Sequence, residues 1–189
     1  MENKINWEIE MDAAMARANA ENKLIILDFF NPGWIGCQQM DAVTYPDTKV
    51  IGFISDSLIP LRVQFDAQPL SADFNVKWTP TLVTLDSQGK EHHRTVGFLS
   101  PEELIPSLLL GIAKSYFETD RFEEALQNID RLLAEYAKSD SAPEAIYLQG
   151  VCRYKSTKDA KPLKEAYEKL NAEYPSSEWT KRAYPYRLL

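Results

Sequence analysis

KLIILDFFNPGWIGCQQM, residues 23–40, opens with an apolar run, Leu24-Ile25-Ile26-Leu27, followed by a single carboxylate, Asp28, and then Phe29-Phe30. A run of this length, rich in Ile and Phe and closed by Asn31-Pro32-Gly33, predicts a buried strand that ends in a loop. Trp34-Ile35-Gly36-Cys37 leads on into Gln38-Gln39-Met40, where a helix is expected from Gly36 to about Val43. A strand that turns sharply into a helix is where α/β folds set reactive groups.

Upstream, Met11, Ala14, Met15 and Ala18 recur at helical spacing and predict an amphipathic helix from about Glu10 to Asn22. Downstream, Pro46 breaks the chain and Asp47 caps a second helical piece carrying Val50, Ile51 and Ile54. In LIPLRVQFD, residues 58–66, Leu61, Val63 and Phe65 alternate onto one face, a strand pattern. Pro69-Leu70-Ser71 starts a short helical or irregular segment that ends near Val76. After Trp78-Thr79-Pro80 and the run to Asp86, residues 87–90 read as a hairpin turn, and His92 to Phe98 pairs back as an edge strand. Ser100-Pro101-Glu102-Glu103 is a helix start, with Ser at the cap, Pro at the first helical position and Glu at the third. The order is βαβ followed by ββα, with helices on both sides of a small mixed sheet.

These residues resemble the active-site segment of thioredoxins, in which a strand ending Asp-Phe-aromatic precedes Trp-Cys-Gly-Pro-Cys. Laid over that pattern without a gap, Asp28 takes the place of the buried acid and Cys37 that of the second, resolving cysteine. Thr79-Pro80-Thr81 falls where the family carries a cis-proline facing the site, and Gly97 is also in register. The resemblance covers about residues 5–110 and implies a thioredoxin fold. Gly33 stands where the family has Trp, and Trp34 where it has the nucleophilic cysteine, so the motif Trp34-Ile35-Gly36-Cys37 is degenerate.

Dithiol exchange needs an exposed thiolate at a helix N-terminus and a second thiol to resolve the mixed disulfide. With Trp34 in the first position, Cys37 is either a vestigial, structural thiol or a lone thiol that reacts when the indole swings aside. The resemblance makes Asp28 the acid that takes a proton from the resolving thiol; without a nucleophile to resolve, it reads as a strand-end Asp bound to nearby backbone. Trp34, Trp78, Thr79 and Pro80 are expected together at one end of the sheet, where family members dock extended peptides. Two Trp side chains there form an aromatic platform for a polypeptide client, or else Trp34 plugs its own domain or packs on the helices beyond.

From Ile112 onward strand signals vanish. Ile112, Ala113, Tyr116, Phe122, Ala125 and Ile129 carry the pattern of a tetratricopeptide helix pair, with Thr119-Asp120-Arg121 as the turn. Tyr147, Gly150, Val151 and Tyr154, then Leu163, Ala166, Tyr167 and Leu170, make a looser second copy before a last short helix, Trp179 to Tyr184. The expected architecture is thus α/β, a thioredoxin fold over residues 1–110, followed by an all-α tetratricopeptide-like region over residues 111–189. Stacked repeats normally need about three units for stability. Two must lean on the first domain or on a second chain, as in a homodimer.

Eight basic side chains face thirteen acidic ones in residues 1–100, and thirteen face fifteen beyond, so neither part has the electrostatic footprint of a nucleic-acid binder. No stretch approaches a transmembrane span, and MENKINWEIEMD has neither the basic nor the apolar part of a signal peptide. Two distant cysteines, Cys37 and Cys152, make no disulfide framework, which favours a reducing, cytoplasmic setting. Cys152 lies on the apolar face of a repeat helix and reads as a small core residue. His92 and His93 point to opposite faces of the edge strand and are expected to be solvated there, without the third ligand a metal would need.

The expected function is a protein-binding or adaptor module lacking dithiol redox activity, with no cofactor and no metal. The alternative is a thiol-disulfide oxidoreductase, serving cell redox homeostasis through Cys37 alone or with a partner's cysteine. A peroxide-reducing thiol would suit Pro32 upstream of Cys37, but the Thr that chemistry expects between them is absent.

Overall fold

The run at the heart of the sequence is a central strand. In the computed structural model, which describes residues 4–189, β1 (Leu24–Phe30) lies between β2 (Leu58–Gln64), parallel to it, and β3 (Thr81–Leu85), antiparallel to it. β4 (Glu91–Val96) pairs antiparallel with β3, giving a four-stranded mixed sheet of order β2-β1-β3-β4. The first three residues of the stretch read for a leader, and of the expected first domain, lie outside the described residues.

A continuous apolar run suits β1 because both of its faces are covered. Ile25, Leu27 and Phe29 join Ile59, Leu61, Val83 and Leu85 in one core cluster, sealed by Ala14 and Ala18 of α1 (Met11–Glu21). Successive side chains alternate across a strand, so Ile26 and Asp28 point to the other side. The outer edge of β2 is covered by Glu8, whose amide donates to the Pro60 carbonyl at 2.8 Å and whose carbonyl accepts from Arg62 at 2.9 Å. That pairing protects an edge otherwise open to another chain. Pro60, with no N–H to give, is tolerated on this outer strand.

The helix expected from Gly36 to Val43 is instead a short α2 (Ile35–Gln39) running into a π-helical turn, Met40–Thr44, closed by the Tyr45 amide on the Met40 carbonyl at 2.9 Å. The widened turn carries side chains that meet their neighbours: Thr44 donates to the Leu99 carbonyl at 2.6 Å, and Asp41 pairs with Arg62. α3 (Thr48–Ser57) starts where Asp47 accepts from the Lys49 and Val50 amides. A one-turn α4 (Leu70–Asp73) and the long α5 (Pro101–Glu118) complete this part.

Two expectations fail here. β2 ends at Gln64, so Phe65 falls past the strand and is 40% exposed instead of facing the core with Leu61. His92 is not a solvated edge residue: it is 5% exposed, with Nε2 3.1 Å from Asp86 Oδ2. The turn after β3 folds Asp86 back, its other oxygen accepting from Gln88 and Lys90, and so brings an acid beside the ring. His93 is half-buried, Nε2 lying 3.4 Å from the Ser107 hydroxyl.

The chain divides into two compact units, the division falling between Gly111 and Ile112 within α5. The second unit is all helical: the end of α5, α6 (Phe122–Glu135), α7 (Ala142–Thr157), α8 (Lys161–Glu173), α9 (Glu178–Ala183) and a 3-10 turn, Tyr184–Leu188. α7 and α8 touch at Gly150, where an added Cβ would stand 2.6 Å from Ala166 Cβ and 2.9 Å from the Pro162 carbonyl oxygen. Tyr147, Tyr167, Tyr174, Trp179 and Tyr186 pack around the buried Ile146, Ala166, Leu170 and Ala183. Among the described residues no helix is long and apolar enough to cross a membrane.

Candidate functional site

β1 delivers the chain to a loop that organises itself. The Asn31 side-chain oxygen accepts from the Gly33 amide at 2.9 Å, and its carbonyl accepts from the Trp34 amide at 3.0 Å, a turn to which Asn is suited. Trp34 is the residue from which α2 starts, in an extended conformation. One turn on, Cys37 is 1% exposed, and its Sγ accepts the Asn31 amide at 3.3 Å. Both cysteines are free thiols and buried. The Cys152 thiol is pushed up to about 12 by desolvation, which keeps it a neutral core group.

Trp34, Trp78, Thr79 and Pro80 lie close to one another. A Cβ on Gly36 would sit 3.1 Å from Pro80 Cδ and 3.4 Å from the pyrrole edge of Trp34, so both rings close on that glycine. The Thr79-Pro80 peptide is cis. Trp34 and Trp78 stand edge to face, with centroids 4.9 Å apart and ring planes at 81°. Both are open to solvent, Trp34 at 38% and Trp78 at 54%. Together with Phe65, Val76, Lys77 and Asn31 they line an open cavity of about 330 Å³. Trp34 thus does not plug a core: it stays partly open to solvent against Trp78 and Pro80.

Asp28 departs from the backbone-bound reading. It is wholly buried, and its Oδ2 accepts from the Tyr45 hydroxyl at 2.9 Å and from Arg62 Nε at 3.0 Å. Arg62 continues to Asp41 through Nη1 at 2.8 Å and lies 4.1 Å from the Phe30 ring centroid. Burial pushes the Asp28 carboxyl up from 3.8 to about 6, against the pull of the Arg62 charge and the Tyr45 hydrogen bond. The cluster follows from register: Asp28 and Arg62 are direct partners on parallel strands, so their side chains leave the sheet on the same face. Arg62, Tyr45 and Asp41 were missed from sequence. The available signal was a lone Arg inside the apolar strand Leu58–Gln64. Among the described residues no group of three or more His, Cys, Asp or Glu side chains is placed to hold a metal.

Comparison with known proteins gives this geometry a family context. The family described as "Thioredoxin-like domain" matches residues 11–111, and one described as "Outer membrane lipoprotein" matches residues 99–185. Among curated proteins, the thiol:disulfide interchange protein DsbD of Pseudoalteromonas atlantica is 27% identical over 99 residues, 48% of this chain and 16% of its own length. The same-named protein of Ralstonia nicotianae is 28% identical over 116 residues, 56% of this chain and 19% of its own. The chain thus spans under a fifth of the length of these relatives. Among solved structures, a putative disulphide-isomerase from Bacteroides thetaiotaomicron matches with a TM-score of 0.53 at 24% identity, over 59% of this chain and 96% of that one. That likeness concerns the fold.

Proposed function

The chain belongs to the thioredoxin-like domain family, and from that premise we propose that it is a polypeptide-binding module that does not carry out dithiol exchange. The observation that carries this reading is the state of the remaining thiol. Cys37 Sγ is buried and engaged by the Asn31 amide, and the residue that opens the helix before it is an indole. Attack on a disulfide needs an accessible thiolate, and release needs a second thiol three residues away. The exposed Trp34–Trp78 pair supports a binding role, since solvent-open Trp at a concave site is the composition of an interaction hot spot. The tetratricopeptide-like helices would add a second surface for the same client.

Thiol titration together with a reductant-coupled insulin reduction assay tests this. Both cysteines are expected to stay unmodified in the native protein and to react only on unfolding, with insulin turnover at the uncatalysed rate. Turnover that disappears in Cys37→Ser would refute the reading. It would support the second one, a thiol-disulfide oxidoreductase working through Cys37. That alternative draws on the relatives named as thiol:disulfide interchange proteins and on Asp28, whose carboxyl at about 6 could exchange a proton near neutral pH.

A further inference from the structure

Among the residues that line the cavity beside Trp34 and Trp78, Lys77 alone carries a formal charge. The neutral polar groups of the wall include donors, such as the two indole N–H groups, and acceptors, such as the Thr79 hydroxyl, so by themselves they suit any polypeptide. Lys77 is exposed, and its ammonium makes no ion pair among the described residues. Asp66, beside Phe65, and Asp73, on α4, neither line the cavity nor pair with it. Elsewhere in the same unit Arg17, Lys23, Arg62 and Arg94 each hold a carboxylate. A lone cation thus stands beside a cleft whose apolar surface comes from Trp34, Trp78, Phe65 and Val76.

Charge therefore distinguishes ligands here where hydrogen bonding does not. A carboxylate on a bound segment gives Lys77 the partner this chain does not supply, whereas a Lys or Arg meets a like charge. The chain's net charge of −7 opposes an acidic ligand at long range. At physiological ionic strength that repulsion is screened over about 8 Å, which leaves Lys77 as the charge in the cleft itself. We infer that the segment bound at this groove is acidic, an inference that rests on the proposed polypeptide-binding role. An apolar or aromatic side chain packs on the Trp34–Trp78 pair, and a neighbouring Asp or Glu pairs with Lys77. Uncharged and basic segments are the competing occupants.

The test uses the full chain, labelled so that the indole N–H signals of its four tryptophans are resolved by NMR. It is titrated with three capped peptides of the form Gly-X-Phe-X-Gly, in which X is Glu, Gln or Lys. The Glu peptide is expected to shift the Trp34 and Trp78 signals and leave those of Trp7 and Trp179 in place. It should bind about threefold to fivefold tighter than the Gln peptide, the upper part of the range for an ion pair that solvent reaches. The Lys peptide should bind more weakly than the Gln one. In about 1 M salt, where the screening length falls to about 3 Å, the three should converge. Lys77→Gln should remove the preference and Lys77→Glu should reverse it, so that the Lys peptide binds tightest; unchanged Trp7 and Trp179 signals show that each variant is folded. If the Gln or Lys peptide binds the parent as tightly as the Glu peptide, or if Lys77→Glu keeps the parent's order, the acidic inference is overturned and the binding role stands. If no peptide perturbs either indole the inference also fails, and if insulin turnover then depends on Cys37 the binding role fails with it.

Discussion

Replacing Asp28 by Asn should stabilise the protein at neutral pH, although it deletes a carboxylate that is ion-paired and hydrogen-bonded. The sign comes from the balance at this site. The Asp28 carboxyl stands at about 6 in the folded protein against an ordinary 3.8, burial outweighing the Arg62 charge and the Tyr45 hydroxyl. A group whose folded value is raised favours folding below its unfolded value, and that contribution is lost as pH rises through the folded value. For Asp28 the window runs from about pH 4 to a little above pH 6, and a gap of about two units corresponds to roughly 3 kcal/mol. Asn is close to the protonated acid in shape, keeps an acceptor for Tyr45, and leaves Arg62 its contact with Asp41 at 2.8 Å.

Asp28→Asn is therefore expected to gain up to about 3 kcal/mol at pH 7, a rise of roughly 6–12 °C in midpoint for a chain of this size. At about pH 4 the gain should vanish, because the parent then carries a neutral acid too. Urea unfolding at pH 4, 5, 6 and 7 measures this. Trp7, packed edge to face against Tyr45 with centroids 5.0 Å apart, contributes a local fluorescence signal close to the cluster. If Asp28→Asn is the less stable protein at pH 7 by about 1 kcal/mol or more, charge pairing with Arg62 outweighs burial and the reasoning is refuted. A difference between the two proteins that does not change with pH refutes it equally.

Arg62→Met removes the cation from a buried acid. A loss of about 3–5 kcal/mol is expected at pH 7, with partial recovery on acidification that begins above pH 6, because losing the Arg62 charge and hydrogen bond raises the Asp28 carboxyl further; the double variant with Asp28→Asn should be more stable than Arg62→Met alone. Gly150→Ala places a methyl 2.6 Å from Ala166 Cβ and 2.9 Å from the Pro162 carbonyl oxygen, so helices α7 and α8 must part. The cost, read by thermal unfolding of the helical signal, should be about 1–3 kcal/mol. Asp47→Ala strips α3 of its two capping bonds and should cost about 1 kcal/mol by urea unfolding, with Asp47→Asn recovering most of it.

What could be read from sequence was what local rules govern. Strand β1 is announced by an unbroken apolar run, α1 by its 3–4 spacing, and α3 by Asp47, whose side chain caps the amides two and three residues on. The meeting of Trp34, Trp78 and Pro80 could be foreseen only through likeness to thioredoxins, because no local pattern joins residues so far apart. The partners of Asp28 were out of reach for the same reason. Tyr45 and Arg62 lie 17 and 34 residues away in sequence, and their convergence needs a parallel β1–β2 register together with a π-helical turn. Phe65 was misread because alternation gives no sign of where a strand stops, and His92 because an acid in the preceding turn folds back over it.

These placements also bear on why a buried acid belongs in this chain. A buried carboxylate on the strand that leads to a lone thiol invites a redox explanation, in which its task is to accept a proton. Here Asp28 has other work: its Oδ2 takes the Tyr45 hydroxyl and the Arg62 guanidinium, and through Arg62 the sheet is tied to Asp41 in the turn after α2. That linkage holds the segment carrying Trp34 and Cys37 against the strands whatever the thiol does. Its cost is the burial of charge, offset here by pairing and hydrogen bonding between the carboxylate and the guanidinium. On this view the acid supports the position of an indole, and its protonation near pH 6 should loosen the site as it stabilises the fold. Trp34 emission in the parent would then change between pH 5 and 7 and stay constant in Asp28→Asn; an identical response in both would break the connection between the ion pair and the aromatic surface.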